Sequence, residues 1–340
     1  MGLPPEMRRR LSLAIALGIS VALLIWTWHD VQWHQVGQIL QGLQPSWVGL
    51  AWGLFILAFY LRANRWGLLL SVRQVRAPLG LRQAAVFIGF GSNCLFPFNA
   101  GELIRAKVLQ TFAQVPLGLA LGTLVSARLL DAATAFAYLI LGLHTLAQPT
   151  RDLGQPLGIL GAILIGLGVF LYGAAVLQRR ILQQVSHALS ALKIPPEPMI
   201  TGLAGLIQGL EIFKSPRLLL LALMQSFGIW GLIGLSFWAM LGAFQLPQPG
   251  LGGAYFILGI QAIAAIIPAS PGHLGTFEAA MRFALDQCQV PTEAAIAYTL
   301  VMRLMMYGTL IGLGLIYAMK LGLSTTLISE TVQADKGMSS

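Results

Sequence analysis

The sequence predicts an all-α polytopic membrane protein: about six full spans and two broken or re-entrant helical hairpins, built as an inverted internal repeat. Three observations carry that reading. Of 340 residues, 56% are hydrophobic and only 10% are charged, against roughly 25% charge in a soluble domain. Apolar runs of spanning length recur along the chain, and two of them end in proline- and glycine-rich breaks. Those breaks belong to a motif that occurs twice. The 38 glycines suit close helix packing in lipid. A soluble enzyme, a disordered hub and a disulfide scaffold are disfavoured together.

Residues 1–10 are polar and end in Arg8-Arg9-Arg10. The apolar run 11–28 that follows is long enough to span ~30 Å of hydrocarbon at ~1.5 Å per residue. A secretory leader has an apolar region of roughly 7–15 residues and a small-residue cleavage site. This run is longer and ends in Trp26 and Trp28, so it is expected to be retained as the first span. Further spans are expected near 46–72, 117–147, 157–177, 217–243 and 292–320.

Two more apolar stretches, 83–96 and 250–268, run into Phe96-Pro97-Phe98-Asn99-Ala100-Gly101 and Pro268-Ala269-Ser270-Pro271-Gly272-His273-Leu274-Gly275. Shorter helical stretches follow at 102–113 and 276–288. Proline removes a backbone donor and glycine gives up helix propensity, so Pro97, Gly101, Pro271, Gly272 and Gly275 are the expected helix-breaking residues. Such a break survives in a membrane only where protein or a watery cavity satisfies the freed groups. The segment 178–214, with Pro195-Pro196 near its middle, reads as two short surface helices around a kink. Residues 11–320 form the expected transmembrane domain, and residues 321–340 a cytoplasmic tail.

The formal net charge is +9. The basic residues lie between apolar runs, where they set membrane orientation, rather than in a nucleic-acid footprint. Assigned inner segments hold 17 Lys and Arg, including Arg62, Arg65 and Arg105; outer segments hold Arg151 and Arg282. That bias places both termini on the cytoplasmic side; the expected membrane is a bacterial cytoplasmic (inner) one. Cys94 and Cys288 fit no zinc or C-x-x-C pattern, and five scattered histidines offer no metal motif. Neither a metal nor another cofactor is expected.

The repeat is legible in spacing. Pro97-x3-Gly101 returns as Pro271-x3-Gly275, and Gln114-Val115-Pro116 returns as Gln289-Val290-Pro291. Beyond each of the latter prolines an apolar span carries an arginine followed by leucine, Arg128 and Arg303. The halves are then about 46–147 and about 217–320. The single span 157–177 between them turns the second half upside down, an architecture of many transporters.

Intramembrane charge is expensive, at least ~2.5–3.5 kcal/mol per residue on insertion scales, and marks function or ion pairing. Arg128 and Asp131 share a helix face, as do Glu102 with Arg105 and Glu278 with Arg282. Arg303 has no acidic residue within four positions and requires a partner elsewhere or a ligand. The helix starts after Gly101 and Gly275 present free N–H groups to an anion. Two guanidiniums and two helix starts suit a phosphate or phosphodiester. Asn93, Asn99, Ser270 and His273 are candidate neutral donors, and the aromatic residues read as packing and interface anchors.

These residues carry a resemblance. Asn93-x3-Pro97-x3-Gly101-Glu102-x2-Arg105 resembles a stretch of the flippase-like family, also called the lysylphosphatidylglycerol synthase transmembrane family. Its second signature, P-G-G-x-G-x-x-E, is similar to Pro271 through Glu278, and the Arg128 to Asp131 stretch and Arg303 resemble family positions. The family includes the membrane half of multiple peptide resistance factors, which moves aminoacylated phosphatidylglycerol between leaflets. The resemblance implies translocation of a lipid or lipid-linked headgroup, with Asn93, Glu102, Arg105, Arg128, Asp131, Glu278 and Arg303 as the matching polar positions. His273 replaces the usual second glycine. The soluble aminoacyl-transferase domain of the resistance factors is absent, so lysyl-lipid synthesis is not carried over.

The expectation is therefore a flippase-like transporter, not an enzyme, whose partners are membrane lipids, an anionic phospholipid or a lipid-linked headgroup. The alternatives are a membrane transferase on a lipid-linked substrate, or a partner subunit of a separate synthase or glycosyltransferase. Nucleic acid is not an expected partner.

Overall fold

The computed structural model describes residues 18–96, 100–146, 154–191, 197–246, 249–265 and 271–323. Among them it is helical throughout, with no strand. The helices are α1 (Gly18–Trp28), α2 (Trp33–Gln41), α3 (Pro45–Ser71), α4 (Leu79–Leu95), α5 (Gly101–Ala113), α6 (Leu117–Thr145) and α7 (Gly154–Val176). Then come α8 (Gln178–Ala191), α9 (Glu197–Gln208), α10 (Pro216–Ala243), α11 (Gly250–Ala264), α12 (Thr276–Gln287) and α13 (Thr292–Lys320).

Five of these, α3, α6, α7, α10 and α13, are long and apolar enough to cross a membrane. Of the expected sixth span, 11–28, only the shorter α1 falls among the described residues, so the count there is five. The expected tail, beyond residue 323, lies outside the described residues.

The long helices start where proline permits. Pro45 and Pro216 occupy the first turns of α3 and α10, where a missing N–H costs no hydrogen bond. Pro116 and Pro291 immediately precede α6 and α13. The repeated Gln-Val-Pro forms the same turn twice. Gln114 and Gln289 stand at φ 55° and 59°. The next amides, of Val115 and Val290, donate back to Leu109 and Leu285 at 3.3 and 3.0 Å. Each turn closes one short helix and aims the chain into a long one.

Helices α3 and α10 pack along one another at the centre. Around them the short helices cross over: α4 lies against α13, and α11 lies against α6. One apolar cluster surrounds α4 and α5, with Trp66, Phe87 and Leu109 fully buried. Another surrounds α11 and α12, with Phe237, Phe256 and Phe277. Lipid tails are as apolar as these side chains, so close packing and polar bonds hold the helices together. That explains α9, which was expected at the surface with α8. Gly118 and Gly122 on α6 meet Gly205 on α9 and Gly209 just past its end backbone to backbone, and Ser126 Oγ donates to the Gly209 carbonyl at 2.9 Å. Helix α7, by contrast, leaves Ile163, Ile165, Val169 and Phe170 exposed.

The two expected breaks separate α4 from α5 and α11 from α12. Pro97, Asn99 and Ser270 lie outside the described residues. Gly101 sits so close to the Gly89 carbonyl that a side chain there would collide with it. At the second break Pro271–His273 form a 3-10 turn. Gly272 and Gly275 take φ 67° and 83°, and His273 follows them into the left-handed region at φ 52°, where a glycine is at ease.

Candidate functional site

The site is built outward from α3. Arg62 and Arg65, three apart on an apolar helix, share a face that turns into the protein. Both are buried, and both donate to Asp131 on α6: Arg62 Nη1 to Oδ2 at 2.8 Å, and Arg65 Nη1 to Oδ1 at 2.7 Å. Trp230 Nε1 on α10 donates to the same carboxylate at 3.1 Å, and Arg65 also donates to Ser226 Oγ at 2.6 Å. Asp131 therefore ties three long helices together. The expected Arg128–Asp131 pairing is corrected. Side chains one turn apart can meet, but α3 supplies Asp131 with two better-placed donors.

Arg128 turns instead to α5. It pairs with Glu102, whose other oxygen accepts from Arg105 Nη1 at 3.1 Å. Phe90 on α4 lies beneath three of these cations, with the guanidinium carbons of Arg62, Arg105 and Arg128 at 5.0, 5.0 and 5.3 Å from its ring centroid. Such contacts are worth about 0.5–2 kcal/mol each. The Arg128 side chain is 45% exposed, whereas Arg62, Arg65 and Arg105 are buried.

The second break repeats the pairing in a closed form. Arg303 Nε lies 2.6 Å from Glu278 Oε1, with side chains 17% and 3% exposed. The Arg303 Nη atoms also donate to the carbonyls of Gly272 and His273, at 3.3 and 3.2 Å. Arg303 thus finds its acidic partner elsewhere in the chain, in Glu278, and has freed backbone carbonyls to satisfy as well. Glu278 and Arg282 do not pair. Arg282 reaches Asp30 in a two-pronged pair at 2.8 and 2.6 Å and stacks on Trp26.

The helix starts are also occupied. Asn93 Oδ1 accepts from the Gly101 N–H at 2.8 Å, and Glu278 Oε2 from the Gly275 N–H at 2.8 Å. One leading donor of each helix is thus taken by the protein itself.

Between the two clusters lies a cavity of about 400 Å³. Arg62, Asn93, Arg128, Asp131, Trp230 and His273 give its polar lining; Phe136, Leu160 and Leu164 belong to its apolar wall. The cavity brings Asn93, Arg128, Asp131 and His273 together, while Glu102, Arg105, Glu278 and Arg303 stand behind it. Arg62 and Arg65 were missed as site residues, having been assigned to the inner loop charge. Their signal was an R-x-x-R spacing inside an expected span. Among the described residues no cluster of His, Cys, Asp or Glu fits a metal.

A family model, that of the lysylphosphatidylglycerol synthase TM region, matches residues 13–314. A curated protein similar to the chain is the glycosyltransferase AglD of Haloferax volcanii, 24% identical over 324 residues, covering 86% of this chain and 51% of its own length. The chain thus spans about half the length of that relative. No solved structure matches. The match corrects the expectation of a chain that is not an enzyme, because a relative along most of its length bears a glycosyltransferase name. The chain belongs to the lysylphosphatidylglycerol synthase transmembrane-region family, and its function is a membrane, lipid-related one.

Proposed function

We propose that this family member takes the anionic headgroup of a membrane lipid, or of a lipid-linked molecule, onto Arg62 and Arg128 and passes it across the bilayer. The observation that supports the reading best is a charge imbalance. Four guanidiniums, Arg62, Arg65, Arg105 and Arg128, surround two carboxylates, Glu102 and Asp131, and the most exposed guanidinium opens onto the cavity. Uncompensated charge inside a membrane calls for a ligand, and guanidinium matches phosphate geometry. The apolar wall suits the hydrocarbon next to that headgroup.

The route rests on the repeat. Long, short, short, long is the helix order of both α3–α6 and α10–α13, each with the same Gln-Val-Pro turn and a Glu–Arg pair joining its second short helix to the long helix after that turn. Read as inverted halves in one transmembrane domain, they offer a site that is reached from either leaflet in turn. The setting is a cytoplasmic membrane with both termini inside. The test is a proteoliposome assay with fluorescent phosphatidylglycerol, where wild-type protein moves the lipid between leaflets and Arg128→Gln protein of the same elution profile does not.

The glycosyltransferase name of the relative favours a second reading, a transferase on a lipid-linked phosphate held at the same arginines. Incubation with nucleotide-sugars and a polyprenyl phosphate separates the two, since glycosylated lipid forms only under the second.

A further inference from the structure

The headgroup reading leaves open how much charge the ligand carries, and the buried ion count answers that. Arginine stays protonated in proteins. Asp131 is gripped by two guanidiniums at 2.8 and 2.7 Å, and Glu102 by Arg105 and Arg128, so both carboxylates are ionised. The cluster therefore carries two positive charges in excess. Adding the second break changes nothing, because Arg303 and Glu278 cancel. Among the described residues no further Asp or Glu lines the cavity. The other described carboxylates nearest in role are engaged elsewhere, Asp30 with Arg282 and Glu211 with Arg73 and Lys214. The Nε–H groups of Arg62, Arg65 and Arg105 are buried without a hydrogen-bond partner, so the cluster holds unused donors.

We infer that the cavity selects a lipid bearing two negative phosphate charges, a phosphomonoester or a diphosphate, over a singly charged phosphodiester. This rests on the headgroup reading above. One phosphodiester neutralises half of the excess and leaves the other half in a low-dielectric site. A phosphomonoester carries about −1.5 to −2 near pH 7 and neutralises nearly all of it. The apolar wall of Phe136, Leu160 and Leu164 adds a reason for a lipid source over a free anion.

The test is equilibrium binding to the purified full chain in detergent, with dioctanoyl phosphatidate, dioctanoyl phosphatidylglycerol and inorganic phosphate as probes. At pH 7.5 phosphatidate is expected to bind at least about tenfold more tightly than phosphatidylglycerol. The ratio is expected to shrink towards one at pH 5, below the second phosphate ionisation near 6. The titratable or charged groups on the cavity wall are Arg62, Cys94, Arg128, Asp131, His273 and Tyr307. Of these His273 is the one imidazole, and any protonation of it adds positive charge, which strengthens anion binding. A His273→Gln protein should therefore show the same fall.

Asn93→Asp adds one carboxylate to the wall and keeps the acceptor for the Gly101 N–H. It is expected to cut the phosphatidate preference at least threefold. Equal binding of the two lipids by wild type, with both weakened by Arg128→Gln, overturns the two-charge inference and leaves the headgroup site standing. Lipid binding indifferent to Arg128→Gln removes the site itself. Inorganic phosphate binding as tightly as phosphatidate overturns the lipid source.

Discussion

The two breaks carry the same ion pair and use it differently. At the first, Arg128 reaches Glu102 but remains 45% exposed, beside three more guanidiniums and an open cavity. At the second, Arg303 and Glu278 are closed in, and each Nη of Arg303 donates to a carbonyl, that of Gly272 or His273. A break in a membrane helix frees backbone groups that must be satisfied. At the second break the arginine does that work. At the first, Asn93 caps the Gly101 N–H as Glu278 caps the Gly275 N–H at the second, and Arg128 pairs with Glu102 instead of a carbonyl of the break. The two arginines thus differ in exposure and in whether they also serve backbone carbonyls.

The comparison breaks first if Asp131 is not the anchor of the open cluster. Asp131→Ala leaves Arg62 and Arg65 buried and unpaired, an expected loss of about 3–5 kcal/mol. The detergent-extracted variant should lose its monodisperse elution peak. A folded, heat-stable Asp131→Ala protein is incompatible with a three-helix anchor. The next largest effect belongs to the closed pair. Arg303→Lys keeps one charge but cannot hold Glu278 and two carbonyls in a planar fork. It is expected to cost about 2–3 kcal/mol, seen as a lower melting temperature with phosphatidate binding within twofold of wild type. Weakened binding at unchanged stability means that the second break faces the ligand after all.

Much of the helix order was legible because apolar runs, prolines and the Gln-Val-Pro turns are local signals. The span limits near 46–72, 117–147, 217–243 and 292–320 fall within two residues of α3, α6, α10 and α13. Partners were less legible. The i,i+3 rule named Asp131 for Arg128, and nothing local showed that α3 brings two arginines to the same carboxylate. Arg62 and Arg65 were counted with the inner loop charge although both lie inside the expected span 46–72, now α3. The partner that Arg303 required could not be named, because Glu278 is 25 residues away and meets it only once the chain has turned at Gln289 and Val290. The glycine-to-glycine seam between α6 and α9 was equally hidden, since small residues advertise close packing without naming what they pack against.

A smaller effect sharpens the contrast from outside the cavity. Helix α12 is fixed a second time by Arg282 on Asp30, and the hydrogen bonds from Arg282 hold the Asp30 carboxyl down at about 2, from an ordinary 3.8. A depressed carboxylate contributes stability above its unfolded value and loses it as pH falls through the folded one. Asp30→Asn should therefore melt slightly below wild type at pH 6. The difference should close between about pH 4 and pH 2. A gap that persists at the acid end points to lost packing rather than lost charge.

The open arginine carries the account, and Arg128→Gln is its cleanest test, because Glu102 keeps Arg105 and no buried charge is stranded. The measurement is phosphatidate binding by purified wild-type and Arg128→Gln protein under one set of conditions, with melting temperature recorded on the same samples. The expected result is an affinity loss of at least about tenfold with little change in melting temperature. Unchanged affinity in the folded variant contradicts the assignment of this cavity as a headgroup site.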